Sequence, residues 1–190
     1  MPQPLSADDL TDVIHTGHFE LTSGLHSAVY NQTAVLHQDP ARCTALCTQL
    51  LRELGREFDV VVAPALGAIV FGFECARLAG RPFLYSERAG GSQRLRRGQH
   101  LAPGQRVLVV ENVLTTAGTV EEVLALVRGA DARPVGVCAL VVRRTVPYPW
   151  ENEVPLVAVV RRDMPGHEPA RCPQCAAGVG IDSPGSRRAS

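Results

Sequence analysis

The sequence predicts an α/β fold, a largely parallel sheet with helices packed on both faces. Three observations carry this. The runs Val60–Val62 and Val107–Val110 and the segment 135–142 are apolar without polar alternation, as strands covered on both faces are. Segments with helical spacing and capping residues lie between these runs, which is the pattern of strand–helix–strand units. Finally, 190 residues with 45% hydrophobic content suit one domain with a sizeable core.

Taken in order, Ser6 ahead of Asp8 and Asp9 has the character of an N-cap, with a helix predicted to about His15. "FELTSGLHSAVYNQ" predicts two short extended pieces around a Ser23-Gly24 turn. Asp39-Pro40 predicts a capped helix start, and Gly55 closes that helix. "DVVVAPA" is a buried strand, followed by a helix over "GAIVFGFECARLAG" opened at Gly67. "PFLYS" is a strand, and Glu87 to Gly104 read as a Gly- and Arg-rich loop. "RVLVV" then leads into a helix from about Gly118 to Arg128, and "PVGVCALVVRR" and "PLVAVV" add two strands. The last dozen residues, 179–190, read as a tail after a single domain over 1–178.

Nineteen basic and nineteen acidic side chains balance, so a general nucleic-acid-coating role has no electrostatic support. Neither a membrane-spanning run nor a secretory signal pattern is visible, which makes the cytoplasm the expected location. Arg88, Arg94, Arg96, Arg97 and Arg106 fall close together and suggest a local anion site. Cys43, Cys47, Cys75 and Cys138 sit in apolar or helical surroundings and read as small buried hydrophobes.

In parallel sheets ligands bind beyond the carboxyl ends of the strands. That rule places Pro64–Ile69, Ser86–Arg97 and Glu111–Thr119 on one rim. On it, "VLVVENVLTTAGT" ends an apolar strand in an acid and an amide and then offers hydroxyl-rich residues ahead of a helix. Backbone N–H groups and Thr hydroxyls at a helix start suit a phosphate. Carbonyl and carboxylate oxygens just before it suit sugar hydroxyls or magnesium. The combination points to a phosphorylated sugar; a strand followed by a capped helix is the plainer reading.

This stretch resembles the phosphoribosyl-pyrophosphate (PRPP) motif of type I phosphoribosyltransferases. "HFELTSGLHSAVYNQ", "PALGAIVFGFECARLAG", "ER" with "LRRG", and the ending "CPQC" with "PGSR" resemble the orotate phosphoribosyltransferases in collinear order. The resemblance implies the type I fold with a small N-terminal hood from residues 1–35. It implies phosphoribosyl transfer from PRPP to orotate, giving orotidine 5'-phosphate and pyrophosphate. Glu111 and Asn112 would face the ribose hydroxyls, and Thr115, Thr116, Ala117, Gly118 and Thr119 would hold the 5-phosphate. Ala65, Leu66 and Gly67 would form the turn beside the pyrophosphate. Arg88, Arg96 and Arg97 would act with Glu111 in catalysis, partly from a mobile loop shared across a homodimer. Arg143, Ser23, Gly24 and Thr115 would contact orotate. Magnesium would arrive mainly with PRPP, with no metal held by the protein itself. The partners implied are small molecules, without nucleic acid or membrane.

The sequence departs from the family pattern at four named places. Asn112 stands where an acid is usual, Ala117 where glycine is, Thr22 where many members have lysine, and Val142 where Asp is common. These departures leave open a weakly active or PRPP-sensing relative, and a purine base remains an alternative acceptor. Cys172-Pro-Gln-Cys175 has zinc-knuckle spacing with His167 upstream, but no second Cys-x-x-Cys completes four ligands. A local turn with two thiols is therefore the expectation. His26 reads as a turn residue near the substrate, and His100 as a loop residue within reach of pyrophosphate.

Overall fold

The structure, a computed structural model, describes residues 10–21 and 23–184. A six-stranded sheet has the order β5-β4-β3-β6-β7-β8. Its strands are β3 (Val60–Pro64), β4 (Phe83–Ala89), β5 (Ser92–Leu95), β6 (Arg106–Leu114), β7 (Arg133–Val142) and β8 (Leu156–Arg161). All neighbours are parallel except β4 and β5. A separate two-stranded antiparallel sheet, β1 (Ile14–Glu20) with β2 (His26–Asn31), forms the hood.

Strand alternation sorts the core into two clusters. Val61, Ala63, Leu108, Val110, Cys138 and Leu140 face helices α1 (Pro40–Leu54) and α2 (Ile69–Ala79). Their neighbours Val60, Val62, Val107, Val109, Val137 and Ala139 face α3 (Gly118–Gly129). Each central strand is thus apolar at every position because both of its faces are buried. Cys43, Cys47, Cys75 and Cys138 are all buried free thiols of the α1–α2 side, as expected.

The capping chemistry agrees with the sequence. Asp39 accepts a hydrogen bond from Arg42 N at 3.1 Å, Pro40 opens α1, and Gly55 ends it with a left-handed φ of 58°.

Several boundaries differ. The helix expected from Ser6 to His15 starts outside the described residues; within them, Ile14 and His15 belong to β1. Leu10 and Val13 are fully buried, and Gln32 N bonds to Val13 O at 2.7 Å, so pairing with the hood replaces local helix. The expected loop from Glu87 is a hairpin in its first half. Gly90 and Gly91, with φ of 61° and 84°, make the tight turn that lets β5 fold back on β4. Arg106 is at the far end of β6, paired with Asp59 at 2.8 Å and Glu57 at 2.9 Å, and so does not belong to the rim arginines. Residues 179–184, expected as tail, lie along the hood: Phe19 bridges to Asp182, and Glu20 N bonds Asp182 O at 2.9 Å.

Candidate active site

From β3 the chain moves outward to β4, whereas from β6 it moves the other way to β7 and β8. The reversal lies between β3 and β6, where parallel sheets open a crevice at their carboxyl ends. Above that crevice is a cavity of about 470 Å³. Gly67, Asn112, Thr115 and Arg143 line it from the sheet, and Ser23 and Thr33 from the hood side.

β6 pairs with β7 as far as Leu114 and therefore carries Glu111 and Asn112 within a regular strand. Glu111 is buried, and its Oε1 accepts from Asn112 N at 2.9 Å. Burial pushes its pKa up to about 7, and that one hydrogen bond offsets only part of the effect. Asn112 Nδ2 donates to Thr33 Oγ1 at 2.9 Å, tying the strand to the segment that follows β2. Its amide also crosses Gly67 closely. A Cβ on Gly67 would lie 2.7 Å from Nδ2, which explains the glycine at this point.

Past β6, Thr115 to Val120 wall a smaller hollow of about 50 Å³ with Glu111 beside it. Tyr148 fixes this turn by donating its hydroxyl to Thr115 O at 2.7 Å. The Tyr148 ring is stacked on Trp150 at 5.4 Å, and the Arg144 guanidinium sits 4.7 Å from its centroid. Ala117 occupies the left-handed region with φ of 65°, immediately before α3. The turn thus keeps the conformation that glycine would adopt freely, and its Cβ is strained within it rather than redirecting the backbone. Free N–H groups at the start of α3 and the Thr115, Thr116 and Thr119 hydroxyls surround a hollow suited to an anion.

Arg143 emerges from the end of β7 and is buried. It donates from Nη1 to Val29 O at 2.9 Å, and from Nη2 to Ser27 Oγ at 2.7 Å and Met164 O at 3.2 Å. Burial lowers its pKa to about 10, so it stays charged at neutral pH. No carboxylate lies within ion-pair distance of it among the described residues. Three of its five N–H groups serve the hood and its neighbour, leaving two toward the cavity it lines.

The remaining expected residues are less convergent. Ala65 and Leu66 follow β3 through a cis peptide bond, with Leu66 83% exposed and neither lining the cavity. Arg88 pairs with Glu122 at 3.1 Å and Arg97 with Glu87 at 3.0 Å, while Arg96 is exposed without an ion pair among the described residues. Gly24 has φ of 81° in the hood turn beside Ser23. Thr22 is outside the described residues. His100 is in the exposed loop, 3.2 Å from Gly98 O. Thr33 and Tyr148 were not expected at the site; the only sequence signal for the second is "YPW", in a chain with just 5% aromatics.

Two measurements check this geometry. Ala117→Gly relieves the left-handed Cβ and should stabilise the fold by about 1 kcal/mol in urea unfolding, whereas glycine at an ordinary position near a helix start would cost stability. Glu111 is held protonated in the fold up to about pH 7 but ionises near its ordinary 4.5 when unfolded. The folded chain therefore binds the extra proton in that window, so its stability falls as pH rises toward 7 and then levels. Replacing it by Glu111→Gln should remove this fall, changing the stability difference between variant and parent by about 2–3 kcal/mol from pH 5 to 8. A difference that stays constant with pH would show that Glu111 ionises freely.

Residues 32–159 match the phosphoribosyl transferase domain family. The orotate phosphoribosyltransferase of Thermoanaerobacter sp. strain X514 is 41% identical over 177 residues, covering 93% of this chain and 92% of that protein. The enzyme of the same name from Chlorobium phaeobacteroides strain DSM 266 is 38% identical over 178 residues, covering 93% and 91%. Among solved structures, the orotate phosphoribosyltransferase of Aeropyrum pernix superposes with a TM-score of 0.66 at 21% identity, over 79% of this chain and 88% of that one. The adenine phosphoribosyltransferase of Thermoanaerobacter pseudethanolicus gives 0.67 at 19%, over 82% and 99%. The two structures share the fold across different bases, whereas the sequence relatives match along nearly their whole length. The chain belongs to the type I phosphoribosyltransferase family and, within it, is similar to the orotate phosphoribosyltransferases.

Proposed function

We propose that this chain is an orotate phosphoribosyltransferase, moving the phosphoribosyl group of PRPP onto a pyrimidine ring nitrogen of orotate. The observation that carries this reading is the buried, uncompensated charge of Arg143 beside the larger cavity. A planar anionic base supplies the missing counter-charge, and two N–H groups remain to meet it. A neutral purine leaves that charge unanswered, which favours orotate over adenine.

The bond from C1 of the ribose to the pyrophosphate oxygen breaks as the bond to the base nitrogen forms. Positive character grows at the ribose and negative charge on the departing pyrophosphate. The turn from Thr115 to Thr119 holds the 5-phosphate, and Glu111 and Asn112 accept hydrogen bonds from the ribose hydroxyls. Asn112 supplies a neutral acceptor where a carboxylate would add charge stabilisation. One carboxylate and one amide are too few to build a cage of six oxygen ligands, so magnesium fits here as an ion carried by PRPP. Once bound, it neutralises charge on the leaving group. Arg96, unpaired on the exposed loop, is the arginine best placed to move toward the pyrophosphate; Arg88 and Arg97 would first exchange their carboxylate partners.

The homodimer belongs to the same proposal. Val70 and Phe73, 40% and 57% exposed, share a face of α2, and exposed Leu66 precedes them. This apolar strip lies beside the rim and suits a second copy. The work of the enzyme is assigned to the cytoplasm.

Supplying PRPP and magnesium with orotate should release pyrophosphate and form orotidine 5'-phosphate, whereas adenine should give neither. Consumption of adenine without orotate would overturn the reading. In the same assay Asn112→Asp should raise turnover roughly tenfold, the equivalent of about 1.4 kcal/mol at the transition state. Thr33 can donate its hydroxyl to the new carboxylate, so the local fold is kept. Turnover that is unchanged or lower would mean that the amide is adapted to this site.

A further inference from the structure

Away from the active site, the hood and the C-terminal segment bring together four side chains far apart in sequence: His18, His26, Cys172 and Cys175. One ligand atom from each lies within 4.8 Å of all the others. His18 Nε2 is 3.3 Å from His26 Nδ1, 3.4 Å from Cys172 Sγ and 3.6 Å from Cys175 Sγ, and His26 Nδ1 is 3.2 Å from Cys175 Sγ. A tetrahedral zinc ion with bonds of about 2.05 Å to nitrogen and 2.3 Å to sulfur has edges of about 3.3 Å (N–N) and 3.6 Å (N–S). The observed separations follow those edges closely.

The surroundings are those of a built site. His18 is 4% exposed and Cys172 3%. His18 Nδ1 lies 2.8 Å from Val179 O, which can only accept, so Nδ1 carries the proton. Nε2 therefore presents its lone pair to the other three groups, and the carbonyl fixes the ring as an outer partner fixes a ligating histidine. His26 is held by two backbone hydrogen bonds with His167, both 2.8 Å. Cys172 and Cys175 are three residues apart around the start of the short helix Pro173–Ala176, and Gln174 Nε2 anchors that turn to Gly17 O at 2.7 Å. His167, expected from the sequence as the nearest candidate ligand, contributes its backbone instead.

We propose that His18 Nε2, His26 Nδ1, Cys172 Sγ and Cys175 Sγ form a closed tetrahedral zinc site that staples the C-terminal segment to the hood. Two thiolates and two imidazoles in this geometry select zinc among common divalent ions. Four protein ligands leave no open position, so the ion is structural and takes no part in group transfer. Its place explains its use. His26 immediately precedes Ser27, whose Oγ accepts from Arg143 and donates to Pro165 O at 2.9 Å. The staple closes a loop spanning most of the chain and holds the strand on which Arg143 depends. The inference does not rest on the identity of the base or on activity.

The test uses the full chain, purified reduced and without chelator, dialysed and analysed for metal. About one zinc per chain should remain, and cobalt(II) exchanged into the site should give the intense visible bands of a tetrahedral ion with a thiolate charge-transfer band. Cys175→Ser, at the exposed ligand, should weaken zinc affinity by a hundredfold or more, on the order of what loss of a ligand set's integrity costs. Cys175→His should retain one zinc, and Cys43→Ser should behave as the parent. If Cys175→Ser does not fold, the stoichiometry and cobalt spectrum of the parent decide. Less than about one zinc per ten chains after incubation with excess zinc, with both thiols titratable or joined as a disulfide, would overturn the proposal.

Discussion

The guanidinium of Arg143 joins the two parts of this molecule. It leaves the parallel sheet at the end of β7 and is met by Val29 O and Ser27 Oγ of the hood strand and by Met164 O. Burying a charge without an ionic partner is unfavourable, and three hydrogen bonds to neutral acceptors offset only part of that. The lowered pKa of about 10 expresses the remaining cost. An anionic ligand in the adjoining cavity would relieve it. Hood placement and ligand charge are thus two consequences of one side chain.

The rest of the rim is arranged around a second burial. β6 is central in the sheet, so the acid it carries at position 111 is removed from water and its pKa rises to about 7. A second carboxylate at position 112 would sit beside it, within the same low-dielectric crevice. Asn112 avoids that repulsion and uses its amide hydrogens on Thr33. It also forgoes a charge that would favour the reacting ribose. The phosphate turn shows a comparable compromise, because Ala117 is kept in a left-handed conformation that its Cβ opposes.

Much of this was legible in the sequence because the signals were local. Asp39-Pro40 and Gly55 bound α1 through capping geometry, and the uninterrupted valines of β3 and β6 gave the two-sided burial of a parallel sheet. The acid, the amide and the threonines of the rim followed from the rule about strand ends. What escaped was set by distant partners. Nothing near Ile14 shows that it pairs with Asn31 and is a strand, and the Gly90-Gly91 hairpin was hidden among arginines. Arg106 stood among the rim arginines in sequence, yet it opens its strand at the opposite end, where Asp59 holds it. Cys172 and Cys175 looked like half a site, because their partners His18 and His26 are some 150 residues earlier.

The account is tested most directly by comparing two nucleotides that differ only in the base carboxylate, orotidine 5'-phosphate and uridine 5'-phosphate. Their dissociation constants should be measured for the parent and for Arg143→Gln. Looser hood packing in the variant affects both ligands alike and cancels in the ratio. The parent should prefer orotidine 5'-phosphate by about 2–3 kcal/mol, some 30- to 150-fold, and the variant should lose nearly all of that preference. A preference that persists undiminished in Arg143→Gln would contradict the account and leave Arg143 as a clamp on the hood alone.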